Sequence, residues 1–343
     1  MKITQLYTAC VITYLMSLTS VFAAPNVGIC SIRTRMDVPS GKIAFCTGDL
    51  KDSIYIRSGE PANLYILDIK DKTVHCVMDK KVISFSGWRT VNGESELWVS
   101  KNVYTIWPWP RFHYQLVSVK KIGDNIITKK IKSPEIVFAF TWSPNGEILA
   151  GKPKRDFTQP LFDSSTNYHS VGISFSEGRD AYIYLDSPVN AIRLFWKDDR
   201  TFYTQGVHGK TIMEFHVQNE KIIPGKVLEY EDRITLFGIF EGDLVYRRNG
   251  NLYIDDNMVY DSETAVKRVQ VSPPYIFFVE DSNIVVVNIT EKNIYKRNVE
   301  NTDIFSIGLD PHADKAYWLS LPDKIYSWDF RQDEIEAIFR ISE

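Results

Sequence analysis

Ile304 to Ile341 reads IFSIGLDPHADKAYWLSLPDKIYSWDFRQDEIEAIFRI. Turn signals at Asp310-Pro311-His312 and Pro322-Asp323 cut the stretch, and a polar gap precedes Ile335. The pieces between them are rich in aromatic and β-branched residues with a period of two. That pattern predicts strands over Ile304–Leu309, Lys315–Leu321, Lys324–Phe330 and Ile335–Ile341. Four short strands in about 40 residues make a small meander with two apolar faces and two open edges. Such a sheet is not stable alone, so it has to be packed between others like it.

The same plan recurs toward the N-terminus. Tyr275–Glu280, Asn283–Asn288 and Asn293–Asn298 form one group; Ile234–Phe240, Asp243–Arg247, Asn251–Ile254 and Met258–Tyr260 form another. Before them come Ala191–Trp196, Thr201–Gln205, Thr211–Gln218 and Ile222–Tyr230. In the front half the expected groups are Ile43–Thr47, Ser53–Arg57, Asn63–Ile69 and Thr73–Met78; then Val82–Val91, Glu96–Ser100, Tyr114–Lys120 and Asn125–Ile131; then Ile136–Trp142, Glu147–Ala150, Val171–Phe175 and Ala181–Leu185. Each group reads as opening on a very apolar strand and closing on a more polar one. Insertions at Val103–His113 and Lys152–His169 stretch the repeat. Groups of four strands spaced by about 45 residues match the blade length of a β-propeller. The expected fold is therefore all-β: seven blades of four antiparallel strands, with six blades plus an extra hairpin as the alternative. Val27–Arg33 is open to two readings, a strand added beside the last group or a cap on an edge.

The N-terminus sets the expected compartment. Lys2 precedes an apolar run from Tyr7 to Leu18, and Val21 and Ala23 stand at the −3 and −1 positions of a cleavage site before Ala24. A run of about a dozen residues is short of the ~20 a membrane span needs, so it reads as a signal peptide, 1–23. The remainder, 24–343, is expected to be one secreted, monomeric domain without a membrane span. A formal charge of −3 provides no basic field, which argues against a nucleic-acid partner.

In an oxidising compartment two of Cys30, Cys46 and Cys76 are expected to pair. Cys30–Cys46 is the preferred bridge, since it would staple the N-terminal arm to the first blade; Cys46–Cys76 is the alternative. Asn288-Ile289-Thr290 is a glycosylation sequon.

Catalytic motifs are hard to find. There is no G-x-S-x-G elbow, no H-E-x-x-H, no phosphate loop and no dinucleotide fingerprint, and no histidine sits at metal-ligand spacing from another or from a cysteine. Asp198, Glu241, Glu280, Asp310 and Asn145 are candidates for a channel calcium, but each also falls where a turn calls for Asp, Asn or Glu. No cofactor is expected.

The aromatic residues are more suggestive. Trp107-Pro108-Trp109-Pro110, with Arg111 and Phe112, falls in the first insertion, and its prolines hold the segment extended. Two indoles on such a loop suit stacking on a planar ring, with Arg111 adding a cation–π or hydrogen-bonding contact. The alternative is a loop folded back to plug a gap between blades. Phe157 and Tyr168 in the second insertion are further candidates, since binding residues collect on loops held by a rigid scaffold. Trp88, Trp142, Trp196, Trp318 and Trp328 fall inside strands and read as packing residues.

With its leader, its early cysteine and phrases such as Ser306-Ile307-Gly308-Leu309-Asp310-Pro311 followed by Ala316-Tyr317-Trp318, the chain resembles secreted insect propellers. These are the ommochrome-binding and yellow/royal-jelly groups. The resemblance covers layout, not a diagnostic motif, and implies binding of a small aromatic pigment or amine. The expected function is non-catalytic binding of a small ligand through loops on one face. A calcium-dependent lactonase-like hydrolase and an extracellular protein-interaction scaffold are the alternatives.

Overall fold

The computed structural model describes residues 34–37, 41–47, 62–81, 83–91, 94–105, 111–122, 125–130, 136–153, 170–175, 180–185, 189–262, 264–299, 303–321 and 324–340. They form seven four-stranded antiparallel sheets, each built from four consecutive strands. The first holds β1 (Thr34–Asp37), β2 (Lys42–Thr47), β3 (Ala62–Asp68) and β4 (Thr73–Lys81). The second holds β5 (Ile83–Val91), β6 (Glu94–Thr105), β7 (Arg111–Ile122) and β8 (Asn125–Lys130). The third holds β9 (Ile136–Trp142), β10 (Ile148–Pro153), β11 (Ser170–Phe175) and β12 (Asp180–Tyr184). Next come β13 (Val189–Trp196), β14 (Thr201–Gly206), β15 (Thr211–Gln218) and β16 (Lys221–Glu229), then β17 (Ile234–Phe240), β18 (Asp243–Arg248), β19 (Asn251–Ile254) and β20 (Asn257–Tyr260). The last two sheets are β21 (Val266–Ser272), β22 (Tyr275–Glu280), β23 (Asn283–Asn288) and β24 (Asn293–Asn298), and β25 (Asp303–Asp310), β26 (Lys315–Leu321), β27 (Lys324–Asp329) and β28 (Glu334–Arg340).

The first strand of each sheet adjoins the first strand of the next, from β1 through β5, β9, β13, β17 and β21 to β25, and β25 adjoins β1. This closed cycle of inner strands is a β-propeller around an axial channel. Every hydrophobic cluster among the described residues lies at a seam between neighbouring blades, not inside one. Strand β26 shows why: Ala316 and Trp318 face the sixth blade, while Tyr317 and Leu319 face the first. Alternate side chains leave a strand on opposite faces, so a strand walled on both sides has to be apolar throughout. Strand β22, YIFFVE, is buried at all six positions for the same reason.

The ring is closed by side-chain packing. Ile43, Phe45, Tyr65 and Leu67 of the first blade meet Tyr317, Leu319, Ile325 and Ile338 of the last, and among the described residues no strand crosses the seam. Two-residue hairpins suit blades this tight. Asn249 and Gly250 both take positive φ, 52° and 94°, which is the type I′ turn expected of Asn-Gly.

The structure corrects the make-up of the blades in three places. The inner strand is not always the most apolar of its blade: β21, VKRVQVS, is more polar than β22, YIFFVE, whereas β17, ITLFGIF, does open its blade on an apolar strand. The inner strand of the first blade is Thr34–Asp37, while the expected strand Ser53–Arg57 and the Val27–Arg33 segment lie outside the described residues. The sixth blade also has an inner strand, Val266–Ser272, that the periodicity does not reveal. Its alternation is broken between Lys267 and Gln270, where the register with β22 slips.

Candidate functional site

Slips of this kind recur around the channel. The pairing of inner with second strand is irregular between Phe85 and Gly87, between Asn190 and Leu194, between Leu236 and Gly238, between Lys267 and Gln270, and between Ile304 and Ser306; β9 is irregular against β10 as well. A β-bulge adds twist and re-aims side chains. Here it occurs where the strands crowd toward the axis.

Five consecutive inner strands, β9 to β25, enclose a cavity of about 620 Å³ in the channel. Trp142, Phe195, Trp196 and Phe237 give it aromatic walls, and Arg268, Gln270 and Ser306 bring polar groups. Two of the indoles are locked in place. Trp196 donates its Nε1–H to the carbonyl of Thr141 at 3.0 Å and meets Phe202 edge-on at 5.0 Å. Trp142 packs edge-on against Trp98 at 4.7 Å, with the Arg89 guanidinium 4.6 Å above its ring. Arg89 is in turn held by Glu96 at 3.0 Å, which also accepts from Trp98 Nε1 at 2.8 Å. Gly238 leaves room for this wall: a Cβ there would come within 2.7 Å of Val271 Cγ2.

Arginines shape the electrostatics. Arg193, in the bulge of β13, donates to the carbonyl of Leu236 at 2.8 Å and lies 5.6 Å from the ring of Phe237. Burial, and then the charge of Arg247, holds its pKa below the ordinary value. Arg247 donates to the carbonyl of Val266 at 2.8 Å. Arg268 sits in the β21 bulge at φ 51°, a left-handed conformation uncommon for a residue with a side chain. A residue held there is a reason to look for function.

The expected site residues fare differently. Trp107, Trp109, Phe157 and Tyr168 lie outside the described residues, as does Cys30. Arg111 and Phe112 are not on a free loop: they open β7, opposite Thr105 and Tyr104, because the β6–β7 hairpin runs further than its alternation suggests. The cavity lies toward the end of the axis where first strands turn into second ones. Trp142 and Trp196 end their inner strands, each immediately before a turn. That position at the channel mouth is the signal that a packing-only reading overlooks.

The other candidates occupy structural places. Asp198 accepts from the amides of Arg200 and Thr201, and Asp310 from those of His312 and Ala313. Asn145 accepts from the amide of Glu147, and Glu241 takes φ 52° in a hairpin turn. Glu280 is buried and accepts from Lys296 at 2.7 Å, Tyr260 at 2.8 Å and Ser262. Burial raises its pKa, but these donors outweigh that and hold it at about 2. Among the described residues no three His, Cys, Asp or Glu side chains group as metal ligands. Cys46 in β2 and Cys76 in β4 flank β3, two strand spacings or roughly 9–10 Å apart. That exceeds the reach of a disulfide, so the sheet disfavours the Cys46–Cys76 alternative. Asn288 is 1% exposed and caps the turn to Glu291, so the folded sequon does not present its amide to solvent. No described helix is long and apolar enough to cross a membrane.

No family model matches the chain, and no curated protein matches it by sequence. Solved structures do resemble it. The C-terminal WD40 domain of Sif2 is 11% identical over 89% of this chain and 86% of its own, with a TM-score of 0.50. An acylaminoacyl peptidase bound to Z-Gly-Gly-Phe-chloromethyl ketone is 11% identical with a TM-score of 0.59, covering 91% of this chain and 53% of that one. The Pyrococcus horikoshii acylaminoacyl peptidase is 12% identical with a TM-score of 0.58, covering 91% and 52%. The chain thus spans about half the length of these peptidases. At such identities the likeness speaks for the β-propeller fold alone.

Proposed function

We propose that the chain is a secreted, non-catalytic binding protein that holds a small planar ligand in its axial channel. The observation that carries this reading is the cavity of about 620 Å³ walled by Trp142, Phe195, Trp196 and Phe237. Its size falls in the range of small-molecule sites, and aromatic walls set beside polar groups suit a planar ligand. Walls held by the Trp196 hydrogen bond and by the ring contacts of Trp142 are preorganised, so little ordering cost falls on the ligand. The layout resemblance to secreted insect pigment binders points the same way.

The test is a thermal-shift and tryptophan-fluorescence screen of planar aromatic compounds on the purified secreted protein, alongside metal analysis. Hits that quench the wild type and lose at least tenfold in affinity in Trp142→Ala support the reading. Stoichiometric calcium together with lactone turnover would overturn it in favour of a hydrolase.

A further inference from the structure

We propose that the axial cavity selects neutral planar heterocycles with a lactam edge, an N–H beside a C=O, and that the side-chain amide of Gln270 reads that edge. The inference names a ligand class for the small-ligand reading above and rests on it.

The lining holds more hydrogen-bonding chemistry than the fold uses. Thr141, Gln270 and Ser306 all border the cavity, and all three are only partly buried. Among the described residues their side chains make no hydrogen bond, so their donors and acceptors stay available to a ligand. Arg268, the charged residue of this lining, is already engaged within the fold, which leaves the free capacity to neutral groups. Of the three, only Gln270 offers a donor and an acceptor held side by side in one plane. That plane suits a flat ligand stacked on the aromatic walls.

Register sets Gln270 apart from its neighbours. Val269 and Val271 pack into the seam with the fifth blade, where Val271 closes on Gly238. Gln270 lies between them and leaves the strand on the opposite face. Its cross-strand partner Phe277 shares that face and packs toward the seventh blade, whose Ser306 borders the same cavity. The register slips by one residue just before Gln270, and bulges of this kind re-aim side chains beside functional sites. A lactam carries the pair of groups complementary to a carboxamide, so the two meet through two parallel hydrogen bonds, as Gln does with one base edge in nucleic acids. A carboxylate satisfies only the donor half of this amide, and an ammonium group only the acceptor half. A ring without a polar edge satisfies neither, and sites built to hydrogen-bond reject such analogues.

The experiment uses the whole secreted chain and three bicyclic probes, titrated by calorimetry: 2-quinolone, N-methyl-2-quinolone with its donor blocked, and 2-methylnaphthalene with no polar edge. We expect 2-quinolone to bind about tenfold more tightly than either of the others. Gln270→Met keeps the side-chain length and loses both hydrogen bonds, and is expected to bring the three probes to within about twofold of one another. Gln270→Glu keeps an acceptor and loses the donor, and is expected to retain only part of the preference. An unaltered melting temperature shows that each variant is folded, and the second variant carries the test if the first is not. Equal affinity for all three probes in the wild type overturns the lactam selection but leaves the small-ligand reading standing. Binding of none overturns both. A 2-quinolone preference that survives intact in both variants overturns the role given to Gln270.

Discussion

Gln205 and Leu236 belong to adjacent blades, and the backbone N–H of Leu236 donates to the side-chain oxygen of Gln205 at 2.9 Å. The same amide donates from Nε2 to the carbonyl of Ile234 at 3.0 Å, so one buried side chain serves two backbone groups of β17. Inner strands have no sheet partner on the channel side, and this amide stands in for one. Gln205→Leu leaves a buried donor and a buried acceptor without partners. We expect a loss of about 2–4 kcal/mol, measured by urea unfolding. Gln205→Glu is expected to recover little, because it lacks the donor for Ile234.

Gly238→Ala tests how tightly the fifth and sixth blades approach. The added methyl meets Val271 Cγ2 at 2.7 Å, a contact the wall cannot absorb without moving. The expected cost is about 1–3 kcal/mol, with a weaker ligand response because both residues line the cavity. Val271→Ala in the same chain is expected to restore much of the stability. A double-mutant cycle then reads the coupling directly.

Glu280 makes stability depend on pH in acid. Its folded pKa is depressed from the ordinary 4.5 to about 2. The contribution is therefore fully present above pH ~4.5 and is lost as pH falls toward 2. In size it is on the order of 3 kcal/mol. Urea midpoints measured from pH 6 to pH 2.5 are expected to fall in the wild type. Glu280→Gln is expected to be less stable at neutral pH and to show a flatter profile. A parallel profile in both proteins sinks this assignment.

At the seam between the last and first blades, burial is expected to outweigh charge. Lys72 and Glu336 pair at 2.5 Å, but both side chains are more than half exposed. Such pairs contribute ~0–1 kcal/mol, so Lys72→Ala is expected to change stability little. Leu319→Ala, at a fully buried position in the same seam, is expected to cost about 2–5 kcal/mol. Thermal unfolding of the two variants separates these cases.

The repeat was legible because strands walled on both sides have to be apolar and because the turns between them carry Asn, Asp and Gly. Asn249-Gly250 is a clear instance. What escaped is what the bulges do. At Val266–Ser272 one extra residue breaks the alternation and hides a strand. At Arg111 and Phe112 the alternation continues past the point where prolines upstream suggest a loop. Trp142 and Trp196 look like seam packing because they are seam packing; that they also face the channel depends on where their strands end relative to the axis. Periodicity carries no information about that.

Every blade is built from four consecutive strands, and among the described residues the first and last blades meet through side chains. Among the described residues the ring therefore has a built-in parting line, where separation breaks no backbone ladder. Cut points elsewhere, in connections between blades, are expected to give permuted chains that rebuild all the sheets once the original ends are joined. The channel is then a property of the assembled circle, and a ligand spanning several inner strands would act as its clasp.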